Sequence, residues 1–269
     1  MTRSLISDGP VLLDLESNGI ARIRLNRPDA SNGMDVALLK ALHEAILRVH
    51  GERSARVVIL SGEGRHFCAG GDVKTFASKG DGLPDYLREA TAWLQIATSA
   101  LIQLRVPVVA SVHGFAAGGG GLGLVCASDF VIAADDAKFM SGAVRVGMAP
   151  DGGASVTLTQ LVGLRKAAEI LLTNPVLDAK EALEIGLLTK VVPAQELATA
   201  TEDYALQFTR SAPLAVEATK RLLWGGVGSS VADRLDEEAR TVSELSGTAD
   251  SLEGLAAVIE KRAPRFEGH

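Results

Sequence analysis

The sequence predicts an α/β protein, with a body of strand-strand-helix units to about residue 195 and a helical tail over 196–269. Two short apolar runs of strand type, Val57 to Leu60 and Val108 to Val112, each lead into a glycine-rich stretch, and a helical pattern is nearby in both cases. The order strand, glycine loop, helix thus occurs twice, about fifty residues apart, although the side chains do not repeat. From Leu161 onward the chain reads as nearly all helix, and its character changes near Val192-Pro193. A chain of 269 residues suits one large domain, or one domain with a smaller appendage.

Taken in order, Val11 to Leu15 and Ile20 to Leu25 read as two strands around Asn18-Gly19, a hairpin signal. In the second, Ala21, Ile23 and Leu25 alternate with Arg22 and Arg24, as in a half-buried strand. Asn26-Arg27-Pro28 ends it. Asp35 is placed to cap a helix carrying Leu38, Leu39, Leu42, Ile46 and Val49 on one face. A helix over Tyr86 to Leu104 stops before Pro107, and a strand is expected at Phe130 to Ala133. Later helices are expected at Arg165–Leu172, Ala179–Ile185, Glu196–Thr209, Pro213–Leu223, Val231–Leu245 and Ser251–Lys261.

Composition excludes several classes of function. Hydrophobic residues make up 47% and aromatics 4%, so the core must be aliphatic. A chain this long buries roughly three quarters of its unfolded surface and needs no staples. A formal charge of −6 gives no reason to expect nucleic acid or a membrane surface as partner. Two cysteines, Cys68 and Cys126, build neither a disulfide framework nor a zinc site; no metal is expected, and a reducing compartment suits them. Neither a signal-type apolar run at the N-terminus nor the ~18 residues of a membrane span is present, so the expected location is the cytoplasm.

The two glycine stretches are Gly62-Glu-Gly-Arg-His-Phe-Cys-Ala-Gly-Gly-Asp-Val73 and His113-Gly-Phe-Ala-Ala-Gly-Gly-Gly-Gly-Leu-Gly123. Glycine lets backbone N–H groups approach a ligand, and two such loops at strand ends can aim two amides at one atom, the minimum for an oxyanion hole. Tight helix-on-sheet packing is the competing explanation. Gly118 to Gly123 also fits G-x-G-x-x-G, but a run of four glycines does so by accident. The acidic residue that a dinucleotide site wants about 20 positions later is missing at Ser141-Gly142-Ala143. A dinucleotide is therefore not expected.

Phe67-Cys-Ala-Gly-Gly-Asp-Val73 and Gly114-Phe-Ala-Ala-Gly-Gly-Gly120 resemble the two signatures of the crotonase (enoyl-CoA hydratase/isomerase) superfamily. The similarity continues through Ser128 to Ala133, Phe139, Gly147-Met-Ala-Pro-Asp-Gly-Gly153 and Ala179 to Val192. It ends at Glu253-Gly254 and Glu260 to Phe266, so nearly the whole chain is covered. The resemblance implies a spiral of strand-strand-helix units and an acyl-CoA thioester as substrate, with coenzyme A part of the substrate and no separate cofactor. It also implies trimers, often paired into hexamers, with the tail helices at the interface and over the acyl-CoA site.

By the same resemblance the Gly71 amide is the first oxyanion donor. The second is Gly119 or Gly120, because this chain has one glycine more than the usual three. Counting from the upstream alanines selects Gly119, which is taken here, and counting back from Asp129 selects Gly120. Either would sit near the positive end of a short helix. Arg27, Ala30, Ala69, Asp72 and Lys74 match positions that line the CoA channel, although ordinary surface polarity would explain each charged one alone.

Hydratases of the family use two glutamates, and this chain has Leu122 or Gly123 at one position and Ala143 at the other. Asp151 remains. Pro150-Asp151-Gly152 is also a plain turn sequence, yet enoyl-CoA and dienoyl-CoA isomerases carry an aspartate there, as do ring-epoxide isomerases and a haloaryl-CoA dehalogenase. One aspartate in an apolar cleft is enough to shuttle a proton between carbons. Other nucleophiles fare worse. A catalytic pair of Cys68 with His66, two residues away, is not expected, and His113 is read as a core or turn residue. The serine of proteolytic relatives is replaced by Gly118, and no G-x-S-x-G elbow occurs. Isomerase is the first expectation, followed by a hydratase with a rearranged site and by a non-catalytic acyl-CoA binder.

Overall fold

A computed structural model describes residues 1–269. The chain opens with an antiparallel meander of β1 (Thr2–Ile6), β2 (Val11–Glu16) and β3 (Ile20–Leu25). At the expected hairpin, Asn18 Oδ1 accepts the Ile20 N–H at 3.0 Å and Gly19 takes a φ of 91°. Asp35 caps α1 (Val36–Gly51), accepting the Leu38 N–H at 2.8 Å and so satisfying one of the helix's orphan donors. β4 (Val57–Gly62), α2 (Val73–Ala77) and α3 (Leu83–Ile102) follow. Next come β5 (Val108–Val112), β6 (Phe115–Ala117) and α4 (Gly118–Ala127). A third turn holds β7 (Phe130–Ala134), β8 (Lys138–Met140), α5 (Ala154–Val162) and α6 (Leu164–Ala168), which runs on as a π-helical turn over Glu169–Thr173. β9 (Leu177–Asp178), α7 (Ala179–Glu184) and β10 (Lys190–Val192) close the spiral. Four helices then follow: α8 (Leu197–Thr209), α9 (Pro213–Gly226), α10 (Ala232–Ser246) and α11 (Ala249–Glu260).

The strands sort into two sheets, a large one in the order β1-β2-β3-β4-β5-β7-β10 and a small one in the order β6-β8-β9. The second and third turns each contribute one strand to the large sheet, one to the small sheet, and a helix. The first turn reaches the small sheet by a single parallel bridge, Cys68 to Ala116. The segment that follows the small-sheet position carries Gly71 in the first turn and Gly118 in the second. Stacking of successive turns therefore brings the two glycine loops side by side.

Alternate sheet residues serve two cores, as a period of two requires. Ala21, Ile23, Leu25, Val58, Leu60 and Val108 belong to the main core with α1 and α3. Ile20, Val57, Ile59, Val109 and Ile132 form a second core closed by Leu197 and Ala205 of α8. The arginines that alternate along β3 are paired, Arg22 with Glu16 and Glu202 (2.5 and 3.0 Å), Arg24 with Asp14 and Glu63 (2.6 and 2.9 Å).

α8 covers the sheet and supplies Glu202, so this helix packs on the body. α9 is tied back by Lys220, whose buried ammonium lies 2.7 Å from Asp129 Oδ2 and also donates to the Leu101 and Val106 carbonyls. Trp224 Nε1–H donates to the other Asp129 oxygen at 2.7 Å. No helix is long and apolar enough to cross a membrane.

Candidate active site

The direction of the Gly71 amide follows from its neighbours. Met34 forms a parallel bridge to Gly71, with its N–H donating to the Gly70 carbonyl (2.8 Å) and its carbonyl accepting the Asp72 N–H (3.0 Å). In such a bridge the flanked residue points its own N–H to the opposite edge. The Gly71 N–H accordingly has no partner within the protein and faces the second loop. There α4 begins at Gly118, and no side chain of Ala117 caps its first turn. The loops touch: a methyl built on Gly118 would lie 3.2 Å from Gly70 Cα and 3.7 Å from the Gly71 nitrogen.

A cavity of about 620 Å³ opens on these amides, with Gly71, Gly119, Gly120 and Asp151 in its lining. Asp151 is its one carboxylate and Arg145 its one cation; most of the rest is apolar, including Leu83, Leu87 and Leu94 from α3. The Asp151 carboxylate occupies the space that a side chain at residue 119 would take, 2.6 Å from that Cβ position to Cγ. Gly123, one helical turn further on, would set its Cβ 3.4 Å from the Gly152 carbonyl. Glycine at both positions on one face of α4 lets the turn at Pro150-Asp151-Gly152 settle onto the helix. Gly120 faces elsewhere, toward Met34 and Cys68. Asp151 is reached by solvent through the cavity mouth, but the protein packed around it displaces much of its hydration. That desolvation raises its carboxyl above the ordinary range, opposed only by its own backbone N–H.

The other expected site residues divide. Ala69 lines the cavity. Arg27, Ala30, Asp72 and Lys74 do not, and lie on or behind the outer flank of the Gly71 loop. Arg27 and Asp72 are instead paired with each other. Their groups meet at 3.0 Å, and Arg27 also reaches Asp35 at 3.2 Å and the Gly33 carbonyl. Burial alone would raise the Asp72 carboxyl, but the Thr75 N–H and the Arg27 guanidinium outweigh it and hold it low. Ala30 ends a short 3-10 turn, and Lys74 is exposed on α2.

Ala143 lines the cavity without a carboxylate, whereas Leu122 is buried in the core. Burial pushes the Cys68 and Cys126 thiols up to about 12, so neither is a nucleophile. His66 Nδ1 accepts the Phe115 N–H at 3.2 Å and His113 Nε2 meets the Gly64 carbonyl at 2.9 Å; both lock the loops together rather than enter the cavity. The α3 wall was legible as a helix from Tyr86, but Leu83, Leu87 and Leu94 gave no sign of which surface they would line.

A spiral of two-layered turns with free loop amides over an apolar acyl-sized cleft defines the crotonase class of fold, in which successive turns share one site. A sequence model of the family described as enoyl-CoA hydratase/isomerase matches residues 15–269, and the chain belongs to that family. It is 36% identical to a protein of Rhodobacter capsulatus named probable enoyl-CoA hydratase, over 94% of this chain and 96% of that one. It is 31% identical to the trans-2-decenoyl-[acyl-carrier-protein] isomerase of Streptococcus mutans, over 93% and 95% of the two chains. The crystal structure of an enoyl-CoA hydratase from Bacillus anthracis superposes with a TM-score of 0.91 at 31% identity, covering 97% of this chain and all of that one.

Proposed function

We propose that this protein is an enoyl-CoA isomerase, moving a double bond along an acyl-CoA thioester with Asp151 as its one acid/base. The observation that carries this is the position of Asp151, the sole carboxylate of the cavity, directly over Gly119. The N–H groups of Gly71 and Gly119 hold the thioester oxygen, and negative charge arriving there is stabilised by fixed donors and by the N-terminal end of α4. Gly119 is preferred to Gly120 because its open side faces Asp151 and Leu94. Asp151 takes the proton from the carbon next to the thioester of a 3-enoyl group. The electron pair passes into a dienolate, and Asp151 returns the proton two carbons further along, giving the conjugated 2-enoyl product. No water is activated, so one carboxylate suffices. The leucines of α3 receive an apolar acyl group, Ala69 contacts the thioester end, and exposed Lys74 on α2 is read as a charge for the CoA half.

Hydration of the same double bond is the second reading, favoured by the hydratase names of several relatives. Mixing the protein separately with a 3-enoyl-CoA and with crotonyl-CoA, and following the conjugated enoyl absorbance, decides between them. An isomerase raises the absorbance of the first and leaves the second intact. Loss of the crotonyl signal indicates a hydratase, and no change in either indicates an acyl-CoA binder.

The tail helices point to an assembly. Leu235 and Val242 on α10 and Leu252, Leu255, Val258 and Ile259 on α11 are exposed, an apolar surface that a lone soluble chain rarely leaves open. A homotrimer or a pair of trimers covers it. Sedimentation at the mass of three or six subunits is expected; a stable monomer would rule the assembly out.

A further inference from the structure

The segment between β3 and α1 contributes only Met34 to the cavity wall, yet it carries much of the bonding that holds the Gly71 loop. Asn32 is fully buried and has a φ of 53°, left-handed like Ser31 at 52°. Asparagine is among the few residues with a side chain that adopt this conformation readily. Its Oδ1 accepts the Arg27 N–H at 2.8 Å. Its Nδ2 lies 2.9, 2.8 and 3.1 Å from the carbonyl oxygens of Glu63, His66 and Phe67. Turning the amide over would set an oxygen against three oxygens, so its orientation is determined by its surroundings. Two protons thus hold three carbonyls of the turn that leads into Gly71. Neighbouring bonds complete the bracket: Ser31 O accepts the Ala69 N–H at 3.0 Å, Asn32 O accepts the Cys68 thiol at 3.1 Å, and Arg27 ties Gly33 to Asp72.

We propose that Asn32 is a positioning residue, fixing the Glu63–Phe67 segment and through it the direction of the Gly71 N–H before any thioester arrives. This rests on the oxyanion role given to Gly71 above. A donor is effective only where it is already in place, and a misplacement of about 1 Å costs on the order of 10²-fold in rate.

Asn32→Gly keeps the left-handed backbone and deletes every side-chain link. Two readouts apply: turnover of a 3-enoyl-CoA, and the carbonyl stretch of a bound, carbonyl-labelled saturated acyl-CoA, which two donors shift to lower frequency. The variant is expected to lose about 10²-fold in kcat with KM nearly unchanged, and to lose the carbonyl shift. Val49→Ala, in the core of α1 and away from the loop, controls for general destabilisation and keeps both. A wild-type shift that persists with full turnover in folded Asn32→Gly overturns the positioning role and leaves the oxyanion role standing. Absence of the shift in wild type overturns the oxyanion role, and the positioning role with it. Should Asn32→Gly not fold, Asn32→Ser gives the same outcomes, since its shorter side chain sets no charge in the buried site and does not span to the three carbonyls.

Discussion

Gly71→Pro is expected to turn over about 10²–10³-fold more slowly than Gly71→Ala, the loss that follows removal of one oxyanion donor. The comparison with alanine is what isolates the N–H. Either substitution places a Cβ 2.5 Å from ring carbons of Phe76, so that half-exposed ring must swing aside in both variants. Only proline also removes the amide hydrogen. The Met34 bridge uses the Gly70 carbonyl and the Asp72 N–H, which both variants retain, so the loop keeps its register. Turnover of the substrate identified by the two-substrate assay measures the effect, with urea unfolding to confirm that both variants fold. Equal rates for the two would remove Gly71 from the oxyanion hole.

Asp151→Asn should lower turnover by about 10²–10⁴-fold, as loss of a general acid–base does. Acyl-CoA affinity should survive, because the amide has nearly the same shape. Exchange of the α-hydrogen with deuterated solvent should vanish as well, since enolate formation needs a base. The pH profile carries the sign of the perturbation. Desolvation raises the Asp151 carboxyl, so the ionised base is lost as pH falls through a value above the ordinary aspartate pKa of about 3.9. In wild type kcat/KM therefore drops on the acid side at that higher pH, and the limb disappears in the variant. A group whose folded pKa is raised costs the folded state stability once it ionises, so Asp151→Asn should be no less stable at neutral pH. Full turnover and exchange in Asp151→Asn would reduce Asp151 to a turn residue.

What the chain determines by itself is local. The hairpin at Asn18-Gly19, the Asp35 cap and the strands at β3, β4 and β5 follow from turn chemistry, capping and periodicity, and all were legible. So were the family, from spaced motifs, and the absence of glutamates at Leu122, Gly123 and Ala143. Short elements were not: β6, β8 and β10 have three residues and β9 two, too few to show a period. α5 was hidden behind Gly152-Gly153, both at positive φ, and the reading of continuous helix from Leu161 passed over β9 and β10. Linear counting could not choose between Gly119 and Gly120, because a run of glycines has no register until a helix assigns faces to it. Nor could it show that Arg27 and Asp72 neutralise each other, or that Asn32 holds the loop. These depend on the stacking of spiral turns, which brings Met34 beside Gly71, Gly70 against Gly118 and the Asp151 turn onto the glycine face of α4. Periodicity and φ preference are encoded within a few residues, whereas which carboxylate meets which amide is decided by packing between turns distant along the chain.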